Sequence, residues 1–274
     1  MKRTFTIFFL TLSLFASFSA SRAQQPVTIA HTEKRSITSQ KIGQTYDLLI
    51  SLPAEYASFD KKYPVLYVLD GWHFPLMAFL QDNSAFSGRM PPVIIVNISH
   101  GDLPWLQVAP RRARDFTPTA SPREPGSGGS AAFLDFFEHE LIPFIDKTYR
   151  TNTADRGLLG HSYGAVFALY ALEQRPDLFQ RIVAASPATG LFHDAIFEAA
   201  KLRAIKAHVR LDLSVGDQET GEGSVVKEET DFAKLLDQVK PSGVEYRSTI
   251  YPGENHNSVR LQSFPAGLYW VYQR

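Results

Sequence analysis

The stretch LLGHSYGAVFALYAL, Leu158–Leu172, decides the fold. It sets a serine, Ser162, between Gly160 and Gly164 in the order G-x-S-x-G, just after the short apolar run that begins at Gly157. From Val166 onward, apolar residues recur at Leu169, Tyr170 and Leu172, a helical spacing. Strand, tight turn and helix in that order form the setting of a nucleophile elbow. Such a turn strains the serine backbone and exposes its hydroxyl, and the flanking glycines let neighbouring backbone pass close by.

Outward from this turn the chain alternates. YDLLISLP near the N-terminus reads as a strand, with VTIAH before it as a strand partner. YPVLYVLD and PPVIIVNIS are apolar enough to be buried on both faces, as central parallel strands are. PLMAFLQDNSAF supplies a crossover helix between them, and beyond Gly129 helices and strands alternate to the C-terminus. An early antiparallel pair followed by repeated helix and strand units predicts a three-layer α/β sandwich, a mostly parallel sheet with helices on both faces. TPTASPREPGSGGS, residues 117–130, reads as a surface loop.

Lys2 and Arg3, the apolar run behind them and the small residues Ser21 and Ala23 predict a cleaved signal peptide over residues 1–23. Residues 24–274 are then one exported domain, periplasmic or secreted, without stable membrane insertion. The chain has 28 basic and 28 acidic residues, so no overall field draws it to nucleic acid. It has no cysteine, which excludes a disulfide framework, thiolate metal ligands and a cysteine nucleophile. No histidine pair has zinc spacing, so neither a metal nor another cofactor is expected.

A serine hydroxyl needs a base, and the base needs a group that fixes its tautomer. LSVGDQETGEG ends a predicted strand with Asp217, Glu219 and Glu222, and YPGENHNSV ends the next with His256. Serine, acid and histidine in this order characterise α/β-hydrolases. His256 is the base candidate; His161, inside the elbow, and His139, on an amphipathic helix, are poorer ones. Two backbone N–H groups must face the developing oxyanion. Tyr163, after the serine, supplies one, and Trp72 in LDGWHF, where Gly71 lets the chain turn, supplies the other.

These segments, with RDFTPT and FFEHELIPFIDKTYRT, give most of the chain a resemblance to the esterase D-like "Putative esterase" family of α/β-hydrolases, and within it to exported ferric-siderophore (enterobactin and salmochelin) esterases. The resemblance implies an acyl-enzyme on Ser162 with His256 as base. It implies Glu219 as acid through the family's G-x-x-E, with Asp217 as the alternative and a serine and histidine dyad as a third. The implied partner is a small-molecule ester such as a ferric siderophore. A feruloyl or acetyl-sugar ester, acyl transfer as in antigen 85-like proteins, and an inactive binding module are the rivals. Arg111, Arg112 and Trp105, in a stretch read as the loop after the fourth strand, are candidate contacts to an anionic aromatic ligand, with Arg114 free to pair with Asp115 instead.

Overall fold

The computed structural model describes residues 28–221 and 223–273. The expected signal peptide and Glu222 lie outside the described residues. The strands are β1 (Thr32–Thr38), β2 (Thr45–Ser51), β3 (Tyr63–Leu69), β4 (Ile94–Ser99), β5 (Thr151–His161), β6 (Arg181–Ala185), β7 (Val209–Gly216) and β8 (Val244–Tyr251). They form one sheet in the order β1-β2-β4-β3-β5-β6-β7-β8. β1 and β2 are antiparallel, β2 joins β4 antiparallel, and the remaining pairings are parallel.

The helices are α1 (Phe74–Ser87), α2 (Trp105–Phe116), α3 (Ser130–Phe136), α4 (Ile142–Thr148), α5 (Tyr163–Gln174), α6 (His193–Ile196), α7 (Ala199–Ala204), α8 (Val225–Val239) and α9 (Arg260–Val271). They cover both faces, and the two-residue period of β3 shows how. Val65 and Tyr67 point into one apolar layer with Phe133, Phe137, Phe167 and Phe232, from α3, the turn after it, α5 and α8. Leu66 and Val68 point into the opposite layer with Met77 of α1 and Phe264 and Leu268 of α9. Alternation on strands apolar throughout is what a sheet buried on both faces requires. The fold is that of the α/β-hydrolases.

Two local readings change. VTIAH is not a strand in its described part; the partner of β2 is the polar TEKRSIT of β1, an edge strand that buries little and so carries no apolar signal. Ala109–Pro118 is not a loop for most of its length but belongs to α2, which tolerates Pro110 within it. A proline and three arginines in six residues disguise a helix that buries Val108, Ala113 and Phe116 together with Arg112 and Asp115.

Candidate active site

β5 ends at His161 and α5 starts at Tyr163, leaving Ser162 at φ 58°, ψ −122°. This is strained backbone for any residue but glycine, and such strain collects at functional sites. The Ser162 N–H is held by the Ala185 carbonyl of β6 at 3.0 Å. Gly160 permits the turn: a β-carbon there would lie 2.1 Å from the Gly164 carbonyl oxygen. The Tyr163 N–H opens α5, the end of a helix that favours negative charge.

The acid candidates separate by geometry. Glu219, on the loop after β7, is buried and accepts from His256 Nδ1 at 2.5 Å, Ser186 Oγ at 2.7 Å and the Gly216 N–H at 2.8 Å. Burial alone raises its pKa, but the His256, Ser186 and Gly216 donors outweigh it and hold the carboxyl below the usual range. Asp217 instead accepts from the Gly253 N–H at 2.9 Å, bracing the loop that carries His256. With Nδ1–H committed to Glu219, the other nitrogen of His256 presents its lone pair.

Ser162, Tyr163, His256, Trp72 and Trp105 line one cavity of about 450 Å³, together with Arg112, His161, Asn257 and Arg260. Trp72 follows Gly71, where an added β-carbon would lie 2.5 Å from Ser99 Oγ, so only glycine lets this loop lie against β4. Trp72 and Trp105 meet edge to face at 5.7 Å, remain about half exposed, and also wall a neighbouring cavity of about 410 Å³. Arg112 is almost buried, its guanidinium forked onto Asp70 at 2.6 and 2.8 Å. Arg111 donates to the His100 carbonyl at 3.3 Å and lines neither cavity. Arg114 pairs with Asp115 at 2.7 Å.

His161, set aside as a base from the sequence, lines the cavity, and its Nε2–H donates to the His256 carbonyl at 2.7 Å. Burial holds its pKa well below the histidine range, so it stays neutral. Ser186, at φ 48°, steadies Glu219, and nothing in AASPA signals it. Arg260 reaches the cavity from the start of α9, donating to the Asn257 carbonyl at 2.8 Å, and among the described residues it has no ion-pair partner. Burial lowers its pKa, opposed by Asp70 and aided by Arg112. Asp70 did carry a signal, a carboxylate closing an apolar strand, where burial demands a cation.

A family model described as "Putative esterase" matches residues 39–270. The chain is 33% identical over 176 residues to the ferri-bacillibactin esterase BesA of Bacillus subtilis (strain 168), covering 58% of this chain and 59% of that protein. It is 33% identical over 145 residues to the apo-salmochelin esterase of Escherichia coli O6:H1 (strain CFT073), covering 49% and 44%. The chain thus spans about half the length of these curated relatives. Among solved structures, the BES protein from Bacillus cereus superposes with a TM-score of 0.82 at 28% identity, covering 92% of this chain and 98% of that one.

Proposed function

The chain belongs to the "Putative esterase" family, and from that premise we propose that it is a serine carboxylic ester hydrolase acting through an acyl-enzyme on Ser162. The observation that carries this reading is the 2.5 Å bond from His256 to a multiply held Glu219, at a cavity that Ser162 also lines. His256 takes the Ser162 proton as Oγ attacks the ester carbonyl. The oxyanion forms against the Trp72 and Tyr163 N–H groups, and His256 returns the proton to the departing alcohol. Water, activated by the same histidine, then releases the acid. Glu219 orients His256 and offsets its charge; Asp217 is a loop brace.

The substrate in this reading is a siderophore ester. The curated relatives named above are siderophore esterases, and the cavity sets Trp72 and Trp105 beside Arg260, a surface that suits an anionic aromatic acyl group. The protein acts outside the cytoplasm, as one domain over residues 24–274 after loss of its leader. Labelling by a fluorophosphonate, lost in Ser162→Ala, is the test of mechanism. Ser162→Ala turning over within tenfold of wild type overturns it. Assay of ferric and iron-free catecholate esters against feruloyl and acetyl-sugar esters decides the substrate.

A further inference from the structure

Asp70 and Arg112 are not explained by the chemistry above. Asp70 is fully buried at φ 71°, immediately before the turn that carries Trp72. Its carbonyl accepts from the His73 N–H at 3.1 Å and from Asn97 Nδ2 at 2.9 Å, so its backbone is tied into that turn and to β4. Both its carboxylate oxygens are taken by the Arg112 fork, Nε at 2.6 Å and Nη2 at 2.8 Å. The same Nη2 donates to the His161 carbonyl at 3.3 Å, the residue before Ser162. One rigid guanidinium therefore bridges the two backbone segments whose N–H groups would face the oxyanion, two residues from Trp72 on one side and two from Tyr163 on the other.

We propose that the Asp70–Arg112 pair is the positioning pair of the oxyanion hole, fixing the Trp72 segment relative to the nucleophile elbow. This rests on the serine esterase reading. An oxyanion hole works only if its donors stay within a few tenths of an ångström of their places. A planar fork held at two points resists both sliding and rotation of the segments, which a lysine ammonium cannot do. The burial of the pair is consistent with such a role, since a buried ion pair contributes little net stability against an apolar replacement.

The test uses the full chain with Arg112→Lys and Asp70→Asn, separately and together. A small neutral nitrophenyl ester gives kcat and KM, an arylboronic acid reports affinity for a tetrahedral anion on Ser162, and thermal melting reports folding. We expect kcat to fall about 10²- to 10³-fold, with KM within about threefold and boronate affinity lost in parallel with kcat/KM. The double variant should be no worse than the poorer single, because the two residues act as one unit. Unchanged boronate affinity and kcat with a lowered melting temperature overturn the proposal in favour of a purely structural pair. A rise in KM alone overturns it in favour of an Arg112 contact to substrate. If one variant does not fold, the other carries the same readouts. Failure of the underlying reading looks different: wild-type protein is then not labelled by fluorophosphonate at all.

Discussion

Glu219 and Asp217 stand two residues apart on one loop but have different partners: Glu219 accepts from His256 and Ser186, Asp217 from the Gly253 N–H. Glu219→Gln removes the charge opposite His256 and leaves an amide that can donate to the Nδ1 it should accept from, favouring the wrong tautomer. We expect kcat to drop about 10²- to 10⁴-fold at little cost in KM. Asp217→Asn keeps an acceptor for the Gly253 N–H and should cost less than about fivefold, within what a surface loop bond is worth. Steady-state kinetics of the two variants on one neutral ester check this, and a larger loss in Asp217→Asn reverses the assignment. Sequence spacing could not separate the pair, because both candidates end the same strand. The distinction lies in Ser186, brought from another loop to hold Glu219 at 2.7 Å.

At the scale of elements, the elbow between β5 and α5 is the part most legible in sequence, since two glycines and a change of apolar period describe it locally. The glycines are not equivalent. Gly160 faces backbone at 2.1 Å, whereas a β-carbon at Gly164 would meet Leu69 Cβ at 3.4 Å, close to ordinary contact. Gly160→Ala should therefore abolish activity or soluble expression, and Gly164→Ala should fold with a melting temperature within a few degrees of wild type. α8 holds a second test. Glu229 is fully buried, accepts from Ser248, and leaves its other oxygen without a partner. Burial, opposed by Ser248 and aided by Asp212, pushes its pKa to about 7. A carboxyl raised in the folded state holds its proton there while the unfolded chain ionises. It therefore costs nothing below the ordinary value and costs progressively more as pH rises toward 7. Glu229→Gln should melt close to wild type at pH 4.5 and be more stable by about 1–3 kcal/mol at pH 8. Melting curves at the two pH values check it, and an equal shift at both removes the titration as the cause. β1 and α2 were illegible for opposite reasons: an edge strand needs no apolar residues, and a helix with one buried stripe hides it under arginines.

Across the whole molecule, the site sits where the carboxyl ends of β3, β5, β7 and β8 converge, the place an open parallel sheet leaves for a ligand. The order of the parallel strands was legible in outline, because each apolar run and crossover helix is local. Which charges the order sets beside Arg112 was not, since Asp70 and Arg260 come from distant parts of the chain. Equal numbers of acidic and basic residues leave no overall field to steer a substrate, so attraction to the cavity is set by the charges around it. Arg112 is matched there by Asp70, while Arg260 has no carboxylate partner among the described residues. The cavity-lining cation without a carboxylate partner is thus Arg260, whereas Arg111, which the sequence favoured equally with Arg112, lines neither cavity. Arg260→Gln should raise KM for an anionic aryl ester about threefold to tenfold at 20 mM salt, converge toward wild type near 0.5 M as the Debye length falls below about 5 Å, and leave KM for a neutral ester of similar shape unchanged. Measuring KM for both esters across that salt range separates charge from shape: a rise that ignores salt and appears with the neutral ester means that Arg260 acts by packing the cavity wall through its bond to Asn257, and that ligand charge is read elsewhere.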